Sequence, residues 1–119
     1  MAQFQVEQAN VDGFPALALV GELNINTAPD LRDLLVKHVR AKRPHLILDL
    51  SGLSFMDTSG LATLIEAHLT SEKQAGMLVL FGLQAHILEV FEITRVINLF
   101  SVFDTQEQAL EALKAAAAP

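Results

Sequence analysis

Residues 46–73 read LILDLSGLSFMDTSGLATLIEAHLTSEK, and this stretch decides the fold. Leu46-Ile47-Leu48 with Leu50 is a short, nearly unbroken apolar run, the pattern of a central strand covered on both faces. Ser51-Gly52 interrupts the pattern and reads as the strand's end. Residues 54–60, SFMDTSG, then read as a loop that carries a small polar cluster to a helix start. Leu61, Leu64, Ile65, His68 and Leu69 follow at i, i+3, i+4 spacing, which predicts a helix over about 59–73 with that stripe on the sheet. The polar cluster therefore belongs at a helix N-terminus beside the C-terminal end of a strand, the edge where open α/β sheets carry their chemistry.

Alternation of elements continues on both sides. Phe4–Gln8 and Ala16–Val20 read as two strands of a hairpin turning through Asn10-Val11-Asp12-Gly13. Gly21 to Asn26 reads as leaving the sheet. Thr27 is the expected N-cap of a first helix, with Pro29 in its first turn and Asp30 in capping-box position. Leu31, Leu34, Leu35, His38 and Val39 form its stripe, and Pro44 stops it. Past Gly76, Met77–Phe81 predicts another strand, 85–91 a short helix with Ile87, Leu88 and Phe91 inward, and 99–103 a last strand. Asp104-Thr105-Gln106-Glu107 starts a final helix on Ala109, Leu110 and Leu113 that frays from Ala115. From residue 16 on, strands and helices alternate with short connections. This implies right-handed crossovers and a mostly parallel α/β sheet, made mixed by the first strand.

Composition narrows the functional classes. The 119 residues fit one domain, and 51% hydrophobic residues supply a core without any run long enough to cross a membrane. There is no cysteine, hence no disulfide framework or thiolate chemistry, and residues 1–8 lack the features of a signal peptide. A cytoplasmic location is expected. A net charge of −6 argues against sequence-independent nucleic-acid binding. Lys37, Arg40, Lys42 and Arg43 gather where the first helix should end, and read as complements to its dipole, with an anion-binding patch as the alternative.

Enzyme motifs fail one by one. No phosphate-binding glycine loop is present. Ser59 lacks the G-x-S-x-G elbow, because Asp57 stands at the first glycine position, and no S-x-x-K follows. A small hydrolase built on Ser59 is a further alternative, disfavoured because its base motif is missing. The four histidines show no ligand-pair spacing, and His38 and His68 fall in helical stripes as packing residues. Asp49 and Asp57 are the one candidate carboxylate pair, but Asp49 lies within a strand pattern and Asp57 in a loop. What remains is Asp57-Thr58-Ser59-Gly60. The plain reading is that Asp, Thr or Ser caps the helix and Gly60 permits close packing. The functional reading adds that a phosphate on a hydroxyl here meets the positive end of the dipole, and repels a docking partner without unfolding the domain.

LILDLSGLSFMDTSGLATLIEAH (46–68) resembles the STAS family, specifically the bacterial anti-sigma factor antagonists. GELNINTAPDLR (21–32) resembles that family's early Gly-Glu-Leu-Asp…Thr-Ala segment, SFMDTSGLATLI (54–65) its phosphorylation loop, and residues 90–113 its closing helix–strand–helix. The resemblance covers nearly the whole chain, and implies a STAS domain over 1–119 with its core at about 4–114. It implies a non-enzymatic binding module without cofactor or metal. The unphosphorylated form would bind an anti-sigma factor, a serine kinase with a histidine-kinase-like ATP domain, and so free a sigma factor. Phosphorylation of Ser59 would end binding, and a PP2C-type phosphatase would restore it. Thr58 is a secondary acceptor by position, or a cap or packing residue. Glu22, Asn24, Thr27, Asp57, Thr58, Ser59 and Gly60 would form the docking surface. Asn24 stands where the family often has Asp, losing a charge while keeping hydrogen-bonding capacity. The alternative is a STAS scaffold subunit of a lipid-transport ATPase or a stressosome-like assembly.

Overall fold

The decisive stretch folds as expected in outline and differs at its middle. In the computed structural model, which describes residues 3–40 and 45–118 (backbone only for 39 and 40), β3 (Leu46–Met56) runs straight through Ser51-Gly52. It pairs in parallel with β2 (Phe14–Leu23) on one side and, through Leu46–Asp49, with β4 (Leu78–Phe81) on the other. Register shifts against β2 follow Ala18 and Gly21, where three and two residues of β3 advance against two and one of β2. These bulges restore burial at Leu50, Leu53 and Met56, a spacing of three where a regular strand repeats every two. Residues 54–56 are thus strand, not loop. Gly21 is likewise a close approach rather than an exit. At φ 104° its missing Cβ leaves room for the Gln3 carbonyl, which accepts from Glu22 N–H at 2.8 Å, and β2 continues to Leu23.

β1 (Phe4–Val11) lies antiparallel to β2 across an Asp12-Gly13 turn, with both turn residues at positive φ (51° and 90°). β5 (Ser101–Phe103) closes the parallel side, so the sheet order is β1-β2-β3-β4-β5. The predicted last strand is shortened at its start. Phe100 is buried against Phe91 and His68 at centroid distances of 5.3 and 5.5 Å, and Leu99 turns outward.

Side chains alternate across β3 as a doubly covered strand requires. Leu46 and Leu48 join the larger core with Leu31 and Leu35 of α1 (Ala28–Arg40), Leu61 and Leu64 of α2 (Thr58–Lys73), and Ile87 and Phe91 of α3 (Ala85–Ile93). Ile47 faces the other way, toward Val79, Phe81 and the Ala109 and Leu113 of α4 (Gln106–Ala117). α4 stays helical to Ala117, beyond the expected fraying point.

Helix α2 is phased differently from the predicted stripe. Leu69 is exposed and Ile65 only half-buried, while Thr63, Ala67 and Ser71 are buried with Leu61, Leu64 and His68. The reason is a neighbour that periodicity does not reveal: α1 packs along α2, and Leu35 and Val36 share a cleft with Thr63, Ala67 and Thr70. His68 is a packing histidine, as expected, with Nε2 3.0 Å from Glu72 Oε1. Leu88 is half-buried beside the fully buried Ile87 and Phe91. Lys42, Arg43, Pro44 and the side chains of Val39 and Arg40 fall outside the described residues, so the basic run and the proline stop are not placed.

Candidate functional site

The outer part of β3 pairs with β2 alone, and the two strands end together, with Leu23 opposite Met56. This brings the 22–27 and 57–60 segments side by side. Asp57 N–H donates to the Leu23 carbonyl at 3.2 Å. Its carboxylate is then fully engaged: Oδ1 accepts from Ser59 N–H (2.9 Å) and Gly60 N–H (3.1 Å), and Oδ2 accepts from Ile25 N–H (3.2 Å). Asp57 is the N-cap of α2, and its second oxygen ties the β2–α1 connection to that helix start. Thr58 is exposed at the first helical position and does not cap.

Gly60 lies beneath the surface. A Cβ there would stand 2.7 Å from Leu23 Cγ and 2.9 Å from both the Leu23 carbonyl oxygen and Met56 Cγ. Only glycine lets α2 start this close to the ends of β2 and β3.

The β2–α1 connection is built by Asn24 and Thr27 together. Asn24 Oδ1 accepts from Asn26 N–H (2.9 Å) and Thr27 N–H (3.2 Å), an Asx turn. The Thr27 hydroxyl accepts from Asn24 N–H (2.8 Å) and donates to the Glu22 carbonyl (2.8 Å). Thr27 immediately precedes α1, yet its hydroxyl points back into the loop instead of capping Asp30, whose N–H bonds the Thr27 carbonyl at 3.0 Å. An Asx turn needs one acceptor oxygen, which asparagine and aspartate both provide, so Asn24 keeps the loop without the charge.

Ser59 occupies the second helical position, half-buried. Its N–H is held by Asp57 and its carbonyl accepts from the Thr63 hydroxyl at 3.1 Å. Its own hydroxyl has no hydrogen-bond partner among the described residues. Ser59 borders an open groove of about 340 Å³ between α1 and α2, whose walls include Ile25, Pro29, Arg32, Thr63 and Glu66. Arg32 Nη2 lies 3.0 Å from Glu66 Oε1 across it. Ile25, 70% exposed, stands at the rim.

The structure therefore brings the Glu22–Thr27 and Asp57–Gly60 segments into one surface. Asp49 and Asp57 are engaged by separate groups, the former locally by Ser51 N–H (2.9 Å) and hydroxyl (2.6 Å) and the latter by its own helix start and the Ile25 amide. No metal-binding cluster of His, Cys, Asp or Glu occurs among the described residues, and none of their helices is long and apolar enough to cross a membrane. Sequence reasoning missed Ile25, Arg32 and Glu66. For Arg32 and Glu66 the available signal was helical spacing, since Ala28 and Arg32 are one turn apart on α1, as are Ser59, Thr63 and Glu66 in succession on α2; Ile25, in the connecting loop, carried no such signal.

This architecture, a five-stranded mixed sheet flanked by helices, is that of a STAS domain. The STAS family model matches residues 5–109, and the chain belongs to that family. The anti-sigma-B factor antagonist of Listeria monocytogenes is 30% identical over 84 residues, 71% of this chain and 74% of that protein. Among solved structures, an anti-sigma factor antagonist from Mycobacterium paratuberculosis superposes with a TM-score of 0.85 at 23% identity, covering 93% of this chain and 94% of that one. The Bacillus cell fate determinant SpoIIAA in its phosphorylated form superposes with a TM-score of 0.69 at 23% identity, covering 92% and 97%.

Proposed function

We propose that this chain is an anti-sigma factor antagonist switched by phosphorylation of Ser59. The observation that carries the reading is the Ser59 hydroxyl: without a hydrogen-bond partner among the described residues, on an open groove, on a backbone bonded to the Asp57 cap. In the unphosphorylated form, the surface made by Glu22, Asn24, Thr27, Asp57, Thr58 and Ser59, with Gly60 beneath it, docks on an anti-sigma factor in the cytoplasm and frees the sigma factor. The anti-sigma factor is itself a serine kinase. Its base takes the Ser59 proton, the Oγ–P bond forms, the bond to ADP breaks, and ADP leaves. This chain supplies the acceptor and no catalytic group.

The phosphate adds about −1.5 to −2 charges beside Asp57. The positive end of the α2 dipole tolerates it, so the domain stays folded, while a docked partner meets both a charge and a solvated group. Release then follows without refolding, and a PP2C-type phosphatase resets the surface. Thr58, exposed next to Ser59, is a secondary acceptor.

Intact-mass analysis and phosphosite mapping after incubation with ATP and an anti-sigma kinase from the same genome test the proposal. One added phosphate on Ser59, absent in Ser59→Ala, is the expected result. Ser59→Ala keeps partner binding and Ser59→Asp weakens it, since a carboxylate imitates part of the phosphate charge. Partner binding with no phosphate transferred would overturn the switch and favour a scaffold role in a larger assembly.

A further inference from the structure

We propose that Arg32 is the internal counter-charge for phosphorylated Ser59: it pairs with Glu66 when Ser59 is bare and moves to the phosphate when Ser59 carries one. The inference rests on the reading of Ser59 as the phospho-acceptor and adds a residue and a rearrangement to it. Three observations carry it. Arg32, Ser59 and Glu66 border one groove, and Arg32 is the one cation among the described residues lining it. Arg32 is already held over that groove, with Nη2 3.0 Å from Glu66 Oε1. Both side chains of the pair are more than half exposed (61% and 52%), so the existing bond is weak and its partners are free to move.

Charge decides the direction of the exchange. A phosphoserine dianion carries more charge than a carboxylate and offers three oxygens to a planar guanidinium, which binds phosphate in a two-pronged fashion. Placed in the same groove, it competes with Glu66 for Arg32 and repels Glu66, whose side chain has open solvent to turn into. Ser59 and Glu66 are seven residues apart on α2, about 10 Å along the axis. Arg32 approaches from α1 opposite this span, one turn after Ala28, which also lines the groove. A change of side-chain torsions transfers the guanidinium from one acceptor to the other, with no backbone movement.

The test places phosphoserine at position 59 during translation, so that no kinase is needed, and follows the phosphate by ³¹P NMR against pH. A nearby cation favours the dianion and lowers the second phosphate pKa, ordinarily about 6. Arg32→Gln is expected to raise that pKa by about 0.5 relative to the phosphorylated parent, and Glu66→Gln to lower it by removing the competing carboxylate. The Arg32 Nε–H signal of the parent should also shift when the phosphate is present. Circular dichroism checks that both variants remain folded. An unchanged phosphate pKa in Arg32→Gln, with the Arg32 signal unmoved in the parent, would overturn the exchange. That failure is separate from failure of the switch itself, which shows as absence of kinase-dependent phosphate on Ser59.

Discussion

Helices α2 and α4 start in similar ways and do different work. Each follows a strand, and each is capped by a side chain that accepts from the helix's first amides: Asp57 from Ser59 and Gly60, Thr105 from Gln108. In α4 the bonds close on themselves. The Thr105 hydroxyl takes Gln108 N–H at 3.2 Å, and Gln108 Oε1 reaches back to Asp104 N–H at 3.1 Å. In α2 the cap has a second oxygen, and it bonds the Ile25 amide 32 residues away. The third helical position differs in the same sense. It is Gln108, a local capping group, in α4, and Gly60, packed under Leu23 and Met56, in α2. A cap that satisfies only its own helix is structural. One that also bonds a distant loop joins two segments into one surface.

Four substitutions test this contrast, from the largest expected effect to the smallest. Gly60→Ala should destabilise the domain by about 3 kcal/mol, because the new methyl meets a backbone carbonyl and two core side chains, outweighing the roughly 1 kcal/mol gain in helix propensity. Urea unfolding reads it, and a neutral result would mean the helix start can slide away from β2. Asp57→Ala should cost about 2 kcal/mol, since it removes a charged cap and strands the Ile25 amide as well. Faster amide exchange at Ile25 is its distinguishing mark. Thr105→Ala should cost about 1 kcal/mol and leave Ile25 exchange unchanged. Equal effects of both cap deletions on Ile25 would erase the distinction drawn between the two helices. Gln108→Ala should shift stability by only a few tenths of a kcal/mol, because its bond is exposed and short-range.

Much of this was legible in advance where local chemistry speaks. The hairpin within 4–20, the doubly covered strand at 46–50, the Thr105 helix start and the cluster 57–60 all follow from residue type and spacing, although Asn10 and Val11, expected in the hairpin turn, are strand. Errors arose where a neighbour overrides local preference. Ser51-Gly52 looks like a strand end, but bulged pairing with β2 carries β3 on to Met56. Thr27 looks like a cap, but the Asn24 amide and the Glu22 carbonyl claim its hydroxyl. Leu69 looks like core, but α1 covers the Thr63–Ala67 side of α2 instead.

By itself the sequence determined the order of elements, the mixed sheet and the identity of the serine at the helix start, because periodicity, turn residues and capping chemistry act over a few neighbouring positions. The tertiary structure alone decided that Asp57 would reach Ile25, that Gly60 would have no room for a Cβ, and that Arg32 and Glu66 would meet over the Ser59 groove. Those are contacts between segments about 30 residues apart. Their geometry is set by where β2 and β3 end and how α1 lies on α2, and no local pattern of residues encodes that.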